Sequence, residues 1–186
     1  QQFEAWFNDI IALKIKQPNS MVLSTSSNDG QVTSRVVLLK EFNNKGFYFY
    51  SDYRSKKAQQ LIENPNASLL FFNIDLERQI RIEGSIAKIS YDESNTYFKS
   101  RPKGSQISVL TSVQSATVDD RSVLENLYQK QFDTFSEKDI DCPDFWGGYC
   151  LVPRYFEFWQ GRSSRLHDRI TYELSGHDWT MSRLSP

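Results

Sequence analysis

MVLSTSSNDGQVTSRVVLLKEFNNKGFYFYS, residues 21–51, is the stretch that decides the fold. Met21 to Ser26 reads as a short strand. Asn28-Asp29-Gly30 then supplies residues that tolerate the positive φ of a tight hairpin turn. Val32 to Phe42 is the expected return strand, Asn43-Asn44-Lys45-Gly46 a second turn, and Phe47 to Ser51 a third strand. Strands joined this tightly pair antiparallel, because a parallel pair needs a long crossover.

Helices and further strands are expected on either side. Phe3, Phe7, Ile10, Ile11 and Leu13 recur at helical spacing within Phe3 to Ile15, and Pro18 closes that helix. Ser55 is placed to cap a second helix with an apolar face of Ala58, Leu61 and Ile62, stopped at Asn64-Pro65. Ala67 to Ile74 and Gln79 to Ser90 read as strands, with a bulge or bend at Gly84. Ser90-Tyr91-Asp92-Glu93 has capping-box form and opens a helix that Pro102 ends. Asp119 to Phe135 is another helix. From Trp146 onward the chain reads as strands, with a turn at Ser175-Gly176-His177-Asp178. The fold class is therefore mostly β with α (α+β), a small antiparallel barrel decorated by helices. An open parallel sheet fits badly. The 186 residues are expected to form a single domain, 1–186.

Composition narrows the function. A net charge of −1 provides no global basic field, which argues against a non-specific nucleic-acid binder and requires any anion site to be built locally. Cys142 and Cys150 share no metal-ligand spacing with His167 and His177, so neither a metal site nor a disulfide framework is expected. The apolar runs are too short to span a membrane, and residues 1–6, QQFEAW, lack signal-peptide form. A cytoplasmic protein is expected, and Gln1, with no Met before it, is not expected to be the natural start.

Four clusters could carry chemistry. Ser55-Lys56-Lys57 puts two cations at a helix start, where the macrodipole favours negative charge. A bound phosphate would resolve that conflict, and two solvated lysines would tolerate it. Ser34-Arg35-Val36-Val37-Leu38-Leu39-Lys40 has a charge near each end of an apolar strand. Strict alternation sends Arg35 and Lys40 to opposite faces, so a shared site needs a bulge, the strand end or a dimer interface. Tyr97 and Arg101 share a helix face, and with Ser105 they could clamp a phosphate or simply form an exposed helix end. Finally, Phe156-Glu157-Phe158-Trp159-Gln160-Gly161-Arg162-Ser163-Ser164-Arg165-Leu166-His167-Asp168-Arg169, taken as a strand, points Arg165, His167 and Arg169 one way behind Trp159. Such a trio calls for an anion or carboxylates to neutralise it. No nucleophile elbow, Walker loop or Rossmann glycine pattern is present.

Together these segments resemble the pyridoxamine 5′-phosphate oxidase family. The signature is matched by Phe156-Glu157-Phe158-Trp159-Gln160, four spacers, then Arg165-Leu166-His167-Asp168-Arg169. Arg35 to Lys40, Leu76-Glu77-Arg78-Gln79, Ser100-Arg101-Pro102 and Phe145-Trp146-Gly147-Gly148 follow the family's order. The resemblance implies an FMN-binding split β-barrel, a Greek-key-like antiparallel barrel acting as a homodimer with FMN at the subunit interface. It implies FMN contacts at Arg35, Val36, Val37, Leu38, Leu39, Lys40, Tyr50, Ser51, Lys56, Lys57, Gln79, Gln114, Ser115, Trp159 and Arg169. It places Lys40, Tyr97, Arg101 and Ser105 at the substrate phosphate, with Arg165 and His167 orienting the pyridine ring. The implied reaction oxidises pyridoxamine or pyridoxine 5′-phosphate to pyridoxal 5′-phosphate and reduces oxygen to hydrogen peroxide. Lys56 stands where many relatives have Arg, Gln17 at a site often acidic, and an N-terminal segment that closes over substrate in relatives is expected to be missing. A split-barrel FMN reductase with another substrate, and a non-catalytic FMN or pyridoxal-phosphate binder, are the competing readings.

Overall fold

The computed structural model describes all 186 residues. In chain order its elements are α1 (Gln2–Ala12), β1 (Ser20–Ser26), β2 (Val32–Leu38), β3 (Glu41–Asn43), β4 (Gly46–Asp52), α2 (Lys56–Glu63), β5 (Asn66–Asn73) and β6 (Arg78–Lys88). They continue with α3 (Tyr91–Ser100), α4 (Lys103–Thr111), α5 (Arg121–Phe135), β7 (Trp146–Gln160), β8 (Asp168–Ser175) and β9 (Asp178–Arg183). Every strand pairing is antiparallel, in the order β2-β1-β5-β6-β7-β4-β3, with β8 and β9 added alongside the second half of β7. No helix is long and apolar enough to cross a membrane.

The expected return strand is not continuous. It breaks at Leu39-Lys40, where the chain changes partner. Leu39 donates its N–H to Asn19 beside β1, whereas Lys40 donates its N–H to Tyr48 on β4 at 2.9 Å. The hairpin β3–β4 therefore lies at the far edge of the sheet from β1–β2, and this one bond draws the two edges together into a curled half-barrel. The apolar Leu39 side chain, 3% exposed, turns into the core and anchors the corner.

Alternation fills that core. Met21 and Leu23 from β1, Leu69 and Phe71 from β5, Ile80 and Ile82 from β6 and Phe158 from β7 meet Phe3 and Phe7 of α1. Burying each such side chain contributes roughly 1.5–3 kcal/mol. A second cluster joins Phe98, Ile107, Ile140, Cys142 and Trp146 under α3 and α4. The bulge at Gly84 is real. The β6–β7 register shifts between Glu83 and Gly84, and a Cβ at Gly84 would stand 2.0 Å from the Val152 carbonyl oxygen.

Helix ends follow local chemistry only in part. Ser90 and Glu93 form the expected capping box. Ser55 occupies the N-cap of α2, but its hydroxyl donates back to the Asp52 carbonyl at 2.7 Å and caps nothing. On α2, Ala58 and Leu61 are buried, but Ile62 is 63% exposed and Lys57 takes an inward position instead. Helix α4 was not expected, because Gly104 and the β-branched Ile107, Val109 and Thr111 give it little helical signature.

Candidate functional site

Two elements that strict alternation separates are reunited by the corner at Leu39-Lys40. Because β2 ends at Leu38 and Lys40 already belongs to the next ladder, Arg35 and Lys40 open onto one cavity of about 990 Å³. As an edge strand, β2 presents consecutive residues Thr33 to Leu38 to this space. Tyr50 and Ser51 of β4, Lys56 and Lys57 of α2, Tyr97, Arg101, Ser105, Gln114, Ser115 and Trp146 complete the wall. Five cationic side chains, Arg35, Lys40, Lys56, Lys57 and Arg101, face the single carboxylate of Asp52.

The cations fall into two groups. At one end Lys57 is buried, and its Nζ donates to Gln114 Oε1 at 2.7 Å, Ser51 Oγ at 3.1 Å and Ser55 Oγ at 3.3 Å. Burial, helped by the nearby Arg35 charge and opposed by Asp52, lowers its pKa to about 8. Because the Ser55 hydroxyl turns away, the first amides of α2 have no side-chain cap, and Lys56 extends beside them, exposed. Arg35 is held from within the sheet. Its Nη1 donates to the Leu23 carbonyl at 2.9 Å and to Thr25 Oγ1 at 2.8 Å, and its Nη2 bonds Thr33 Oγ1.

At the other end Arg101 leaves helical geometry just before Pro102, with φ −74° and ψ 149°. Its guanidinium lies 4.7 Å from the Trp146 ring centroid, and Nη1 is buried without any hydrogen-bond partner. Burial lowers its pKa. Tyr97 stacks on Tyr50 with centroids 3.8 Å apart, and Lys40 Nζ sits 5.9 Å from the Tyr97 ring. Burial of Tyr50 pushes its phenol up to about 12, so that ring is a neutral surface for stacking at neutral pH. The donor set and the orphaned buried Nη1 fit two anionic groups, one at each end.

The remaining site residues lie elsewhere. Leu39 is core and does not line the cavity. Gln79, Trp159, Arg165, His167 and Arg169 do not line it either. Gln79, Trp159 and Arg169 form one row across β6, β7 and β8, continued by Phe72 of β5. Val36 shares this face, one pleat along, through the row Val36, Val22, Leu70, Arg81, Glu157. The same-face Arg165-His167-Arg169 strand is corrected: β8 begins only at Asp168. Ser163 to Arg165 form a short 3₁₀ turn in which Ser164 and Arg165 adopt positive φ of 57° and 61°. The run Gly161-Arg162-Ser163-Ser164 makes a turn because Gly161 is pinned, donating its N–H to the Glu77 carbonyl at 2.8 Å. His167 packs on Trp159 with centroids 4.7 Å apart, and its Nδ1 accepts the Arg162 N–H at 3.1 Å. One carboxylate neutralises Arg169, whose Nε donates to buried Glu157 at 2.7 Å. Burial works against charge on Glu157, but bonds from Arg169 and Arg81 outweigh it and keep its pKa low.

Known proteins match this geometry. Residues 8–130 match the family model described as pyridoxamine 5′-phosphate oxidase, and residues 146–186 match the one described as pyridoxine 5′-phosphate oxidase C-terminal dimerisation region. The chain belongs to the pyridoxamine 5′-phosphate oxidase family. A curated pyridoxine/pyridoxamine 5′-phosphate oxidase of Aliarcobacter butzleri is 49% identical over 187 residues, covering 100% of this chain and 88% of that protein. Its counterpart in Rippkaea orientalis is 47% identical with the same coverage. Among solved structures, PhzG from Burkholderia lata in complex with tetrahydrophenazine-1-carboxylic acid superposes with a TM-score of 0.94. It has 27% identity, with 100% of this chain and 91% of that one covered. A pyridoxamine 5′-phosphate oxidase-related, FMN-binding protein from Nostoc punctiforme, 16% identical, shares the fold with a TM-score of 0.79 over 100% of this chain and 98% of that one. As a member of the pyridoxamine 5′-phosphate oxidase family with this split-barrel fold, the chain is an oxidoreductase.

Sequence reasoning missed Asp52, Arg54, Trp146 and Phe72 as site features. Phe72 was legible as an apolar residue at an outward strand position. Trp146 stood in the quoted Phe145-Trp146-Gly147-Gly148 block without a role. The Asp52–Arg54 pair left no signal separable from ordinary surface charge.

Proposed function

We infer that the chain is an FMN-dependent oxidase of pyridoxamine 5′-phosphate and pyridoxine 5′-phosphate, working as a homodimer and releasing pyridoxal 5′-phosphate, hydrogen peroxide and, from the amine with water, ammonia. The observation that carries the reading is a nearly neutral protein that concentrates five cations around one cavity and leaves the Arg101 guanidinium buried with Nη1 unpaired. Two phosphates would use both cationic ends. Lys56, Lys57, Ser51, Arg35, Gln114 and Ser115 would hold the cofactor phosphate and its polyol. Lys40, Tyr97, Arg101 and Ser105 would hold the substrate phosphate.

When bound, FMN supplies the ring that accepts a hydride equivalent and passes the electrons on to oxygen. This chain's residues bind and orient. Arg101 fixes one end of the substrate, so its reacting carbon is presented in a single pose. The stacked Tyr50 and Tyr97 form an apolar floor beside that phosphate. Arg165 and His167 lie outside the cavity of their own chain, and so does the Gln79-Trp159-Arg169 row. The reading has them enter the cavity of a second copy. The dimerisation-region match over 146–186, which contains the Trp159-to-Arg169 arm, supports that arrangement, and so do the exposed Phe72 and Val36 on the same face.

The test is one anaerobic spectrum. Purified protein should carry or take up FMN and show its visible absorption, and pyridoxamine 5′-phosphate should bleach that band. Protein that ignores FMN refutes the reading. Saturated FMN left unbleached by either phosphorylated vitamer points instead to a reductase of another substrate.

A further inference from the structure

We propose that Asp52 and Arg54 act as a positioning pair that locks the segment after α4 onto Lys57 and so shapes the phosphate end of the cofactor site. The inference rests on the FMN reading above. Asp52 is an odd residue for that wall. It is the only carboxylate lining the cavity, it is 5% exposed, and its charge would repel a phosphate.

Its contacts explain its presence. Asp52 Oδ1 accepts the Arg54 backbone N–H at 2.7 Å and Nε at 3.0 Å, and Oδ2 accepts Nη2 at 2.7 Å. The planar fork leaves Nη2 free to donate also to the Ser112 carbonyl at 3.3 Å, while the guanidinium lies 3.6 Å from the Phe145 ring centroid. Asp52 Oδ2 additionally accepts the Gln114 N–H at 3.4 Å. Both members of the pair therefore grip the Ser112–Gln114 segment by its backbone, one at each end. That grip presents Gln114 Oε1 to Lys57 Nζ at 2.7 Å. Burial opposes charge on Asp52, but the Arg54 and Gln114 bonds prevail and keep the carboxyl below its usual range, so the pair stays ionised at neutral pH.

Apart from the grip, the segment is held by Gln114 Oε1, which accepts from Lys57 Nζ and Ser51 Oγ, and by the Ala116 N–H on the Val113 carbonyl. Val113 is 41% exposed, Gln114 and Ser115 are exposed, and Ser115 adopts a φ of 74° that a non-glycine residue holds only when its surroundings impose it. The pair thus acts through Gln114 and Lys57 and need not touch the ligand itself.

The test is a double-mutant cycle on FMN affinity, read by quenching of flavin fluorescence, together with amide hydrogen exchange of the protein free of FMN. Asp52→Asn, which keeps the shape and removes the charge, should weaken FMN binding about tenfold, and Arg54→Met should do the same. The double variant should be no weaker than either single one, because the two residues form one unit. If Asp52 were merely a repulsive charge, Asp52→Asn would tighten FMN binding and the double variant would return toward wild type. Either result overturns the proposal. Exchange separates this failure from failure of the FMN reading. In both single variants the Ser112–Ser115 amides should exchange faster while the core amides of β5 and β6 stay protected. Unchanged exchange at those amides overturns the pair whether or not the protein binds FMN. Wild-type protein that does not bind FMN overturns only the reading beneath it.

Discussion

The cavity and the C-terminal arm handle positive charge in opposite ways. In the cavity, Arg101 Nη1 is buried with no partner, and Lys57 is buried among neutral oxygens at a depressed pKa. In the arm, arginines are matched to carboxylates: Arg169 to Glu157, which Arg81 of β6 shares, and Arg162 to Asp168, which Arg183 of β9 shares. Unmatched charge costs folding energy and persists where a ligand offsets it, whereas matched charge builds a scaffold. The exception in the arm is Arg165, exposed on a turn at positive φ and bonded to no carboxylate. Like Arg101 it has no carboxylate partner, but unlike Arg101 it is exposed.

The contrast can be broken by experiment. The largest effect is expected at Arg101. Arg101→Met should raise KM for pyridoxamine 5′-phosphate about fiftyfold, the scale of a lost charge-assisted bond in a desolvated site. An unchanged KM would show that the orphaned guanidinium serves packing alone. Arg165→Ala should cut kcat/KM about twentyfold while FMN affinity moves by less than about twofold. If sites are shared between copies, chains carrying Arg101→Met and chains carrying Arg165→Ala, reassociated at random, should recover about a quarter of wild-type activity. Recovery no greater than that of the two parents would place both residues in one chain's own site.

Smaller effects sharpen the comparison at Lys57. Lys57→Met should weaken FMN binding about tenfold, and unchanged affinity would make this lysine part of the scaffold. The wild-type pH profile should follow the same residue. Its folded pKa, about 8, lies below the usual lysine value. The cost of burying its charge is therefore fully present below pH 8 and is relieved as pH rises from there toward the unfolded value. FMN-free protein should gain stability over that window relative to Lys57→Met, while its FMN affinity falls as pH rises above 8 and levels off near the about tenfold loss expected for Lys57→Met. A flat affinity profile, or stability falling with pH relative to the variant, would contradict the assignment.

Strands, turns and capping boxes were legible because they depend on neighbours in sequence. Asn28-Asp29-Gly30, Ser90 with Glu93, and the Gly84 bulge all stand where local chemistry puts them. The corner at Leu39-Lys40 was not legible, because the change of partner from β1 to β4 depends on contacts the intervening residues do not encode. It also settled why Arg35 and Lys40 share a cavity, which alternation alone could not. In the arm, reading Arg165 to Arg169 as a strand failed for a related reason. The turn is imposed by Gly161 docking on Glu77, far away in sequence. Helix α4 was hidden by its own composition. The pairing of Asp52 with Arg54 is local, but its use of Ser112 and Gln114 is not.

The long strand β7 has one further consequence, during synthesis. It hydrogen-bonds to β6 along nearly its whole length, to β4 with its first half and to β8 with its second. On the ribosome, β1, β2, β5 and β6 can zip together as soon as Lys88 emerges, but the outer edge of β6 then has no neighbour. It stays bare until Trp146 and the residues after it appear, several seconds later at translation rates of about 5–20 residues per second. In that interval the nascent chain carries an open strand edge beside Ile80, Ile82 and Ile86, the kind of surface that recruits other chains into aggregates. The strand that completes the barrel is thus also what ends the chain's most vulnerable moment, and slower synthesis between α3 and β7 should lower the yield of folded protein.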